Sequence, residues 1–244
     1  MSQSPRLFMD GTFKTVPKLF AQLYTIHGCI MGRYYPFAYC LLINKEKTTY
    51  VRLFDLLKGK ALALGISLNP NSVLIDFERS CISALKDTFP YAAVKGCFFH
   101  YGQCIWRKVQ ELGLSSAYRN DDEVRQWVQR IGALPLVPPE SMGDAIIYIE
   151  NTAPDCTEAM DLFSYVADTW VDECDSMFLM DIWNHYDNPG DRTNNIVESW
   201  HSKFNRRAQK SHLNLFAFIE LLQQEEAENH AEIQMLLQGN LRPT

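Results

Sequence analysis

The sequence predicts an α/β protein: a mixed five-stranded sheet with flanking helices, joined by an all-helical insertion. Three observations carry this reading. Three apolar, β-branched and aromatic segments open the chain with only short gaps between them. Two more strand-like segments then alternate with stretches of helical spacing. Residues 118–180 show helical spacing interrupted by prolines, with no strand pattern.

Residues 6–13 (RLFMDGTF) read as a first strand, with Asp10 near its end and Gly11 as punctuation. Residues 21–31 (AQLYTIHGCIM) and 36–44 (PFAYCLLIN) read as the second and third, and the short gaps predict an antiparallel meander. From 50 to 64, Tyr50, Leu53, Phe54, Leu57, Ala61 and Leu64 fall on one helical face, which Asn69-Pro70-Asn71 ends. Ser72-Val73-Leu74-Ile75 is a buried-type strand running into Asp76. A helix follows over 79–89, a fifth strand over 92–100 (AAVKGCFFH) and a helix over 101–112. In the insertion, Val124, Trp127, Val128 and Ile131 mark one amphipathic helix, and Ala159, Leu162, Phe163, Val166 and Trp170 another. Residues 187–195 (DNPGDRTNN) form a polar turn, 196–209 a helix, and 213–237 a long amphipathic one. This element order is that of the RNase H-like fold. The implied organisation is a core whose first part spans 1–117, a helical insertion over 118–180, and core completion with a C-terminal helix over 181–244.

At 244 residues, 47% apolar and 21% charged, the chain is long enough for one large domain or two small ones with ample core. Its net charge of -6 supplies no global basic field of the kind nucleic-acid binders show. Seven cysteines without a CxxC pair read as reduced thiols. No apolar run approaches the roughly 20 residues of a membrane span, and the N-terminal MSQSPR lacks a signal-peptide layout.

Three acids stand in unusual settings. Asp10 follows the first strand, Asp76 ends the fourth, and Glu198 lies one turn into the helix opened by Thr193-Asn194-Asn195. A buried strand has little reason to end in a carboxylate, and in α/β sheets ligands bind outside the strand ends. Each acid alone reads equally well as a helix cap or a surface charge. Together they form a set that suits Mg2+ or Mn2+, hard cations that take carboxylate oxygens and can clamp the attacking and leaving oxygens of a phosphodiester.

Cys97 and His100, three apart, read as two zinc ligands, as a phosphate contact, or as a buried small residue beside a satisfied polar one. The spacings in the chain do not support a full zinc site. His201, three residues after Glu198, shares its helical face. Lys203, Arg206 (or Arg207) and Lys210 fall on one side of that helix and, with Arg192, form a candidate DNA-binding face or a solvated one. Trp127, Trp170, Trp183 and Trp200 read as core.

The segments Met9-Asp10-Gly11-Thr12-Phe13, Ile75-Asp76-Phe77-Glu78, Gly96-Cys97-Phe98-Phe99-His100 and Arg192–His201 (RTNNIVESWH) resemble the transposase core of Mutator-like elements, the MULE domain. Pro36, Tyr39 and Asn44-Lys45 resemble it too, and the likeness runs from about Asp10 to about Leu222. The resemblance implies an RNase H-like DDE transposase that cleaves and transfers DNA strands. It makes Asp10, Asp76 and Glu198 the catalytic, metal-binding triad and Cys97 and His100 the family's Cys-x-x-His motif. It also implies DNA as partner, nuclear localisation, a homo-oligomer, and helices inserted before the last acid. Such transposases carry a zinc-binding DNA-recognition module before the core, and no zinc-finger spacing occurs here. The expectation is a catalytic domain without its recognition finger, served by a separate module. The alternatives are a domesticated, non-catalytic DNA- or protein-binding protein, and a nuclease of the same fold.

Overall fold

The computed structural model describes residues 6–172, 176–188 and 190–239. The N-terminal pentapeptide, part of the stretch without a leader layout, and Cys174 lie outside the described residues. The strands are β1 (Arg6–Thr12), β2 (Gln22–Ile30), β3 (Arg33–Leu42), β4 (Ser72–Ile75) and β5 (Ala93–Gly96), forming one sheet in the order β3-β2-β1-β4-β5. The expected meander is present: β2 lies antiparallel to both β1 and β3. Met31 and Gly32 turn the chain between β2 and β3, both at positive φ (50° and 81°), as a two-residue hairpin following the strand twist requires. β1 pairs with β4 in parallel, which makes the sheet mixed. A bulge shifts the β2–β3 register between Ile26 and His27, where Pro36 sits opposite His27. An edge strand tolerates a proline there, because no inner ladder bond is lost.

The chain divides into two compact units, 1–94 with 194–244, and 95–193. In the first, side chains alternate across the sheet. Tyr24 on one face meets the helices α1 (Lys47–Ala63) and α2 (Arg79–Thr88): its ring lies 5.3 Å from Tyr50, and its hydroxyl 3.1 Å from the Cys81 thiol. Gly11 belongs to this face. A Cβ there would lie 2.2 Å from Gln22 Oε1, and the bare backbone lets Gln22 cross β1 to donate to the Tyr50 hydroxyl at 2.6 Å. The other face, through Phe8, Leu23 and Leu74, is covered by α9 (Asn195–Ala208) and α10 (Leu215–Leu237): Phe8, Leu74 and Val197 form one buried cluster, and Val16, Leu23, Phe204 and Phe218 another.

The second unit contains α3 (Phe98–Glu111), α4 (Ser115–Asn120), α5 (Asp122–Ala133), α6 (Met142–Asn151), α7 (Thr157–Val166) and α8 (Met180–Trp183). Residues 118–180 lie within it and show no strand among the described residues. Trp127, Trp170 and Trp183 are fully buried, and three donors of this core meet carbonyl oxygens. Trp127 Nε1 donates to the Ile149 carbonyl at 2.8 Å, Trp183 Nε1 to Trp170 at 2.7 Å, and the Tyr101 hydroxyl to Ile131 at 3.0 Å. Without those bonds each buried donor would cost about 1–3 kcal/mol.

Two element readings need correction. The fifth strand ends at Gly96 rather than at 100, and helix begins at Phe98. Residues 98–100 look strand-like, but they belong to the helical spacing that Tyr101 continues: Phe98 packs edge-on to His185 and Tyr101 to Trp170. In α1, Tyr50, Phe54 and Ala61 are buried as the periodicity requires, whereas Leu64 is 77% exposed because the helix has ended before it.

Candidate active site

The β1–β4 register runs Arg6↔Ser72, Leu7↔Val73, Phe8↔Leu74. Two residues beyond the last pair, on both strands, come Asp10 and Asp76. Parallel neighbours lie about 4.8 Å apart, so the register carries both acids to the same level on adjoining central strands. Alternation puts Asp10 on the face of Phe8, toward α9. Neither acid is a helix cap, since Asp10 lies within a strand and the cap of α2 is Glu78. Asp10 Oδ1 instead accepts from Gly11 N at 2.7 Å and Asp76 Oδ1 from Phe77 N at 2.6 Å. Such backbone bonds hold a carboxylate in one orientation while leaving lone pairs for another partner.

The start of α9 is tied to β1. Asn194, wholly buried, occupies the N-cap position, and its Nδ2 donates to the Met9 carbonyl at 3.2 Å. From there, Val197 packs on Phe8 and Leu74, and Glu198 and His201 follow on the helix. His201 is buried; its Nδ1 lies 3.5 Å from Asp10 Oδ2, and its Nε2 3.0 Å from Thr25 Oγ1. Thr25 stands opposite Asp10 on β2, and His27 Nε2 lies 3.0 Å from the same hydroxyl. Burial, and then the electrostatic influence of the neighbouring His201, push the His27 pKa down to about 3.

Glu198 and His201 border a groove of about 610 Å³ that also takes in Lys14, Asn205, Arg206 and Lys210. Asn205 fastens its rim, accepting from the Thr15 hydroxyl at 2.9 Å and donating to the Thr12 hydroxyl at 3.3 Å. A slightly larger depression of about 690 Å³ runs along the outer side of α1, past Lys47, Arg52, Leu56 and Lys60. α1 covers the sheet face opposite to that of Asp10, so this depression takes no part in the site.

The basic run does not share one side, which corrects the reading of its spacing. Arg206 and Lys210 border the groove beside Glu198. Lys203 and Arg207 turn instead to α10, where Glu225 is wholly buried. Arg207 bridges Glu225 and Glu228, Lys203 lies 3.5 Å from Glu225, and Trp200 Nε1 donates to Glu225 at 3.1 Å. The bond with Arg207 holds the Glu228 carboxyl below its usual range. Positions 203 and 207, four apart, lie on one flank of α9 and Arg206 on another, while Lys210 lies past the end of the helix, where Gln209 turns left-handed at φ 57°.

Cys97 and His100 belong to the second unit. Cys97, fully buried, is the N-cap residue of α3, and His100 lies half-buried in its first turn, so the pair opens a helix rather than ending a strand. Arg192, also in this unit, is exposed and accepts at its carbonyl from Phe98 N at 2.8 Å. Asp10 and Asp76 offer oxygen ligands alone, the donor chemistry of Mg2+ or Mn2+. Among the described residues, no three His, Cys, Asp or Glu side chains are gathered closely enough to hold a metal ion, so Glu198 does not stand in a ready-made cluster with the two aspartates. The same holds for a zinc site at Cys97 and His100.

Lys14, Thr25 and His27 were not singled out in the sequence. Lys14 carried a signal, a cation four residues past Asp10; Thr25 and His27 read as ordinary members of a buried strand.

A mixed five-stranded sheet with flanking helices is the architecture of the RNase H-like transposase fold. Residues 6–103 match the family model of the MULE transposase domain. A search of curated proteins returns no match. No helix among the described residues is long and apolar enough to cross a membrane.

Proposed function

We propose that the chain is the catalytic domain of a DDE-type transposase, performing metal-dependent DNA strand cleavage and transfer. The observation that carries this reading is the arrival of Asp10 and Asp76 at one level of neighbouring parallel strands, inside the segment matching the transposase domain. Asp10 and Asp76 would hold Mg2+ or Mn2+, with Glu198 joining from α9. A bound divalent ion activates a water or a 3′-hydroxyl and neutralises charge developing on the phosphate. The chain's own contributions are distinct. Lys14, Arg206 and Lys210 hold the DNA backbone in the groove beside Glu198, and His201 steadies the Asp10 carboxylate. The reading places the protein in the nucleus as a homo-oligomer, with target recognition supplied by a separate module.

Thermal shift with Mn2+ tests it. A ligand at a hundredfold excess over its Kd stabilises the native state by about 2.7 kcal/mol, so Mn2+ is expected to raise the Tm of the wild type and not that of Asp76→Asn. Equal shifts in both proteins would refute the site. A second reading, a domesticated and non-catalytic DNA- or protein-binding protein, is favoured by the capture of Lys203 and Arg207 by α10, which takes cations away from DNA. It predicts no Mn2+ response in either protein.

A further inference from the structure

We propose that Thr25 and His27 are positioning residues for Asp10, acting through His201 by a one-way run of hydrogen bonds that fixes its tautomer. The proposal rests on the reading of Asp10 as a metal ligand. Its physical content is the count of hydrogens around one hydroxyl. Thr25 Oγ1 lies 3.0 Å from His201 Nε2, 3.0 Å from His27 Nε2 and 3.4 Å from the Asp10 carbonyl oxygen. A threonine hydroxyl has a single hydrogen to donate and two lone pairs to accept with. It therefore cannot serve both imidazoles as donor, and the Asp10 carbonyl at 3.4 Å competes for that hydrogen more weakly than an imidazole nitrogen at 3.0 Å.

The carboxylate decides the direction. His201 Nδ1 faces Asp10 Oδ2 at 3.5 Å, and a bare lone pair there would meet negative charge, so Nδ1 carries the hydrogen. In the neutral ring Nε2 is then an acceptor and takes the Thr25 hydrogen. The Thr25 oxygen in turn accepts from His27 Nε2–H, which fits an imidazole that is 1% exposed and has no charge to spare. Trp200 closes the arrangement, its ring 5.5 Å from His27 and 5.6 Å from His201. The run ends by facing a donor toward Asp10 Oδ2 across 3.5 Å while Gly11 N holds Oδ1 at 2.7 Å, so each carboxylate oxygen has its own neighbour. Partners of this outer kind usually change metal affinity by about 10–100-fold.

Nitrogen-15 NMR of the histidine rings at neutral pH reads the tautomers directly, without metal. The expected result in the wild type is hydrogen on Nδ1 of His201 and on Nε2 of His27. Thr25→Val, equal in volume but without the hydroxyl, should release His201 into a tautomer mixture and weaken Mn2+ binding about tenfold, and Thr25→Ser should restore both. Hydrogen on Nε2 alone, or on both nitrogens, of wild-type His201 would overturn the proposal even if Thr25→Val failed to fold. So would a Thr25→Val protein whose tautomer changed while its Mn2+ affinity did not. If the wild type binds no Mn2+, the metal-site reading fails alone, and the tautomers still decide the hydrogen-bond run.

Discussion

Lowering the pH from about 7 to about 4.5 tests the burial of His27. Its imidazole is 1% exposed in the folded sheet, and its pKa falls from 6.5 to about 3, first through burial and then through His201. The sign follows from which state takes the proton. Below 6.5 the unfolded chain binds a proton that the folded chain refuses, so stability drops as pH falls and levels off only near 3. Each pH unit in that window is worth about 1.4 kcal/mol, so two units of it remove about 2.7 kcal/mol, or roughly 5–11 °C of Tm at this chain length. The assay is thermal unfolding by circular dichroism across the window, in the wild type and in His27→Gln, whose amide keeps a donor for Thr25. Carboxylates titrate in both proteins, so the difference between the two curves isolates His27. Curves that stay parallel down to about pH 4.5 would show that the imidazole accepts a proton in place, and that its burial is not felt as a charge penalty.

Arg207→Met strips the buried Glu225 of its principal partner, leaving Lys203 at 3.5 Å and the Trp200 indole at 3.1 Å; a loss of about 3 kcal/mol is expected in denaturant unfolding, and a loss below about 1 kcal/mol would mean Glu225 rehydrates. For DNA, replacing Lys14, Arg206 and Lys210 with Ala should lower the salt slope of binding by about 0.9 for each phosphate contact removed. Replacing Lys203 with Ala should leave that slope nearly unchanged, because its ammonium already answers Glu225; equal effects from the two sets would contradict the division of α9 into two flanks.

The sheet was legible in the sequence because period-2 runs and short gaps are local signals, and β1, β2 and β4 fall within a residue or two of their expected bounds. Asp10 and Asp76 stood out for the same reason, as charges at the ends of apolar strands. Their grouping was read from type and resemblance, but the level they share was not legible, because it depends on β1 and β4 pairing in parallel across a long stretch of chain. Phe98 and Phe99 misled, since aromatic residues suit strand and helix alike until their packing partners are known. The fate of Arg207 was hidden for a similar reason: whether a cation meets solvent or a buried acid depends on α10, which spacing along α9 cannot reveal.

The interrupted first unit has a consequence for how the chain is made. Residues 1–94 emerge from the ribosome well before 194–244, and translation of the intervening residues at about 5–20 per second takes roughly 5–20 s. Throughout that interval Phe8, Leu23 and Leu74 lack the helices that cover them in the finished protein. The nascent sheet is then half-dressed, one greasy side open to chaperones or to the nearest neighbouring chain. Slowing elongation within the insertion lengthens that exposure, so yield of soluble protein should track codon speed there more closely than in the segment that follows.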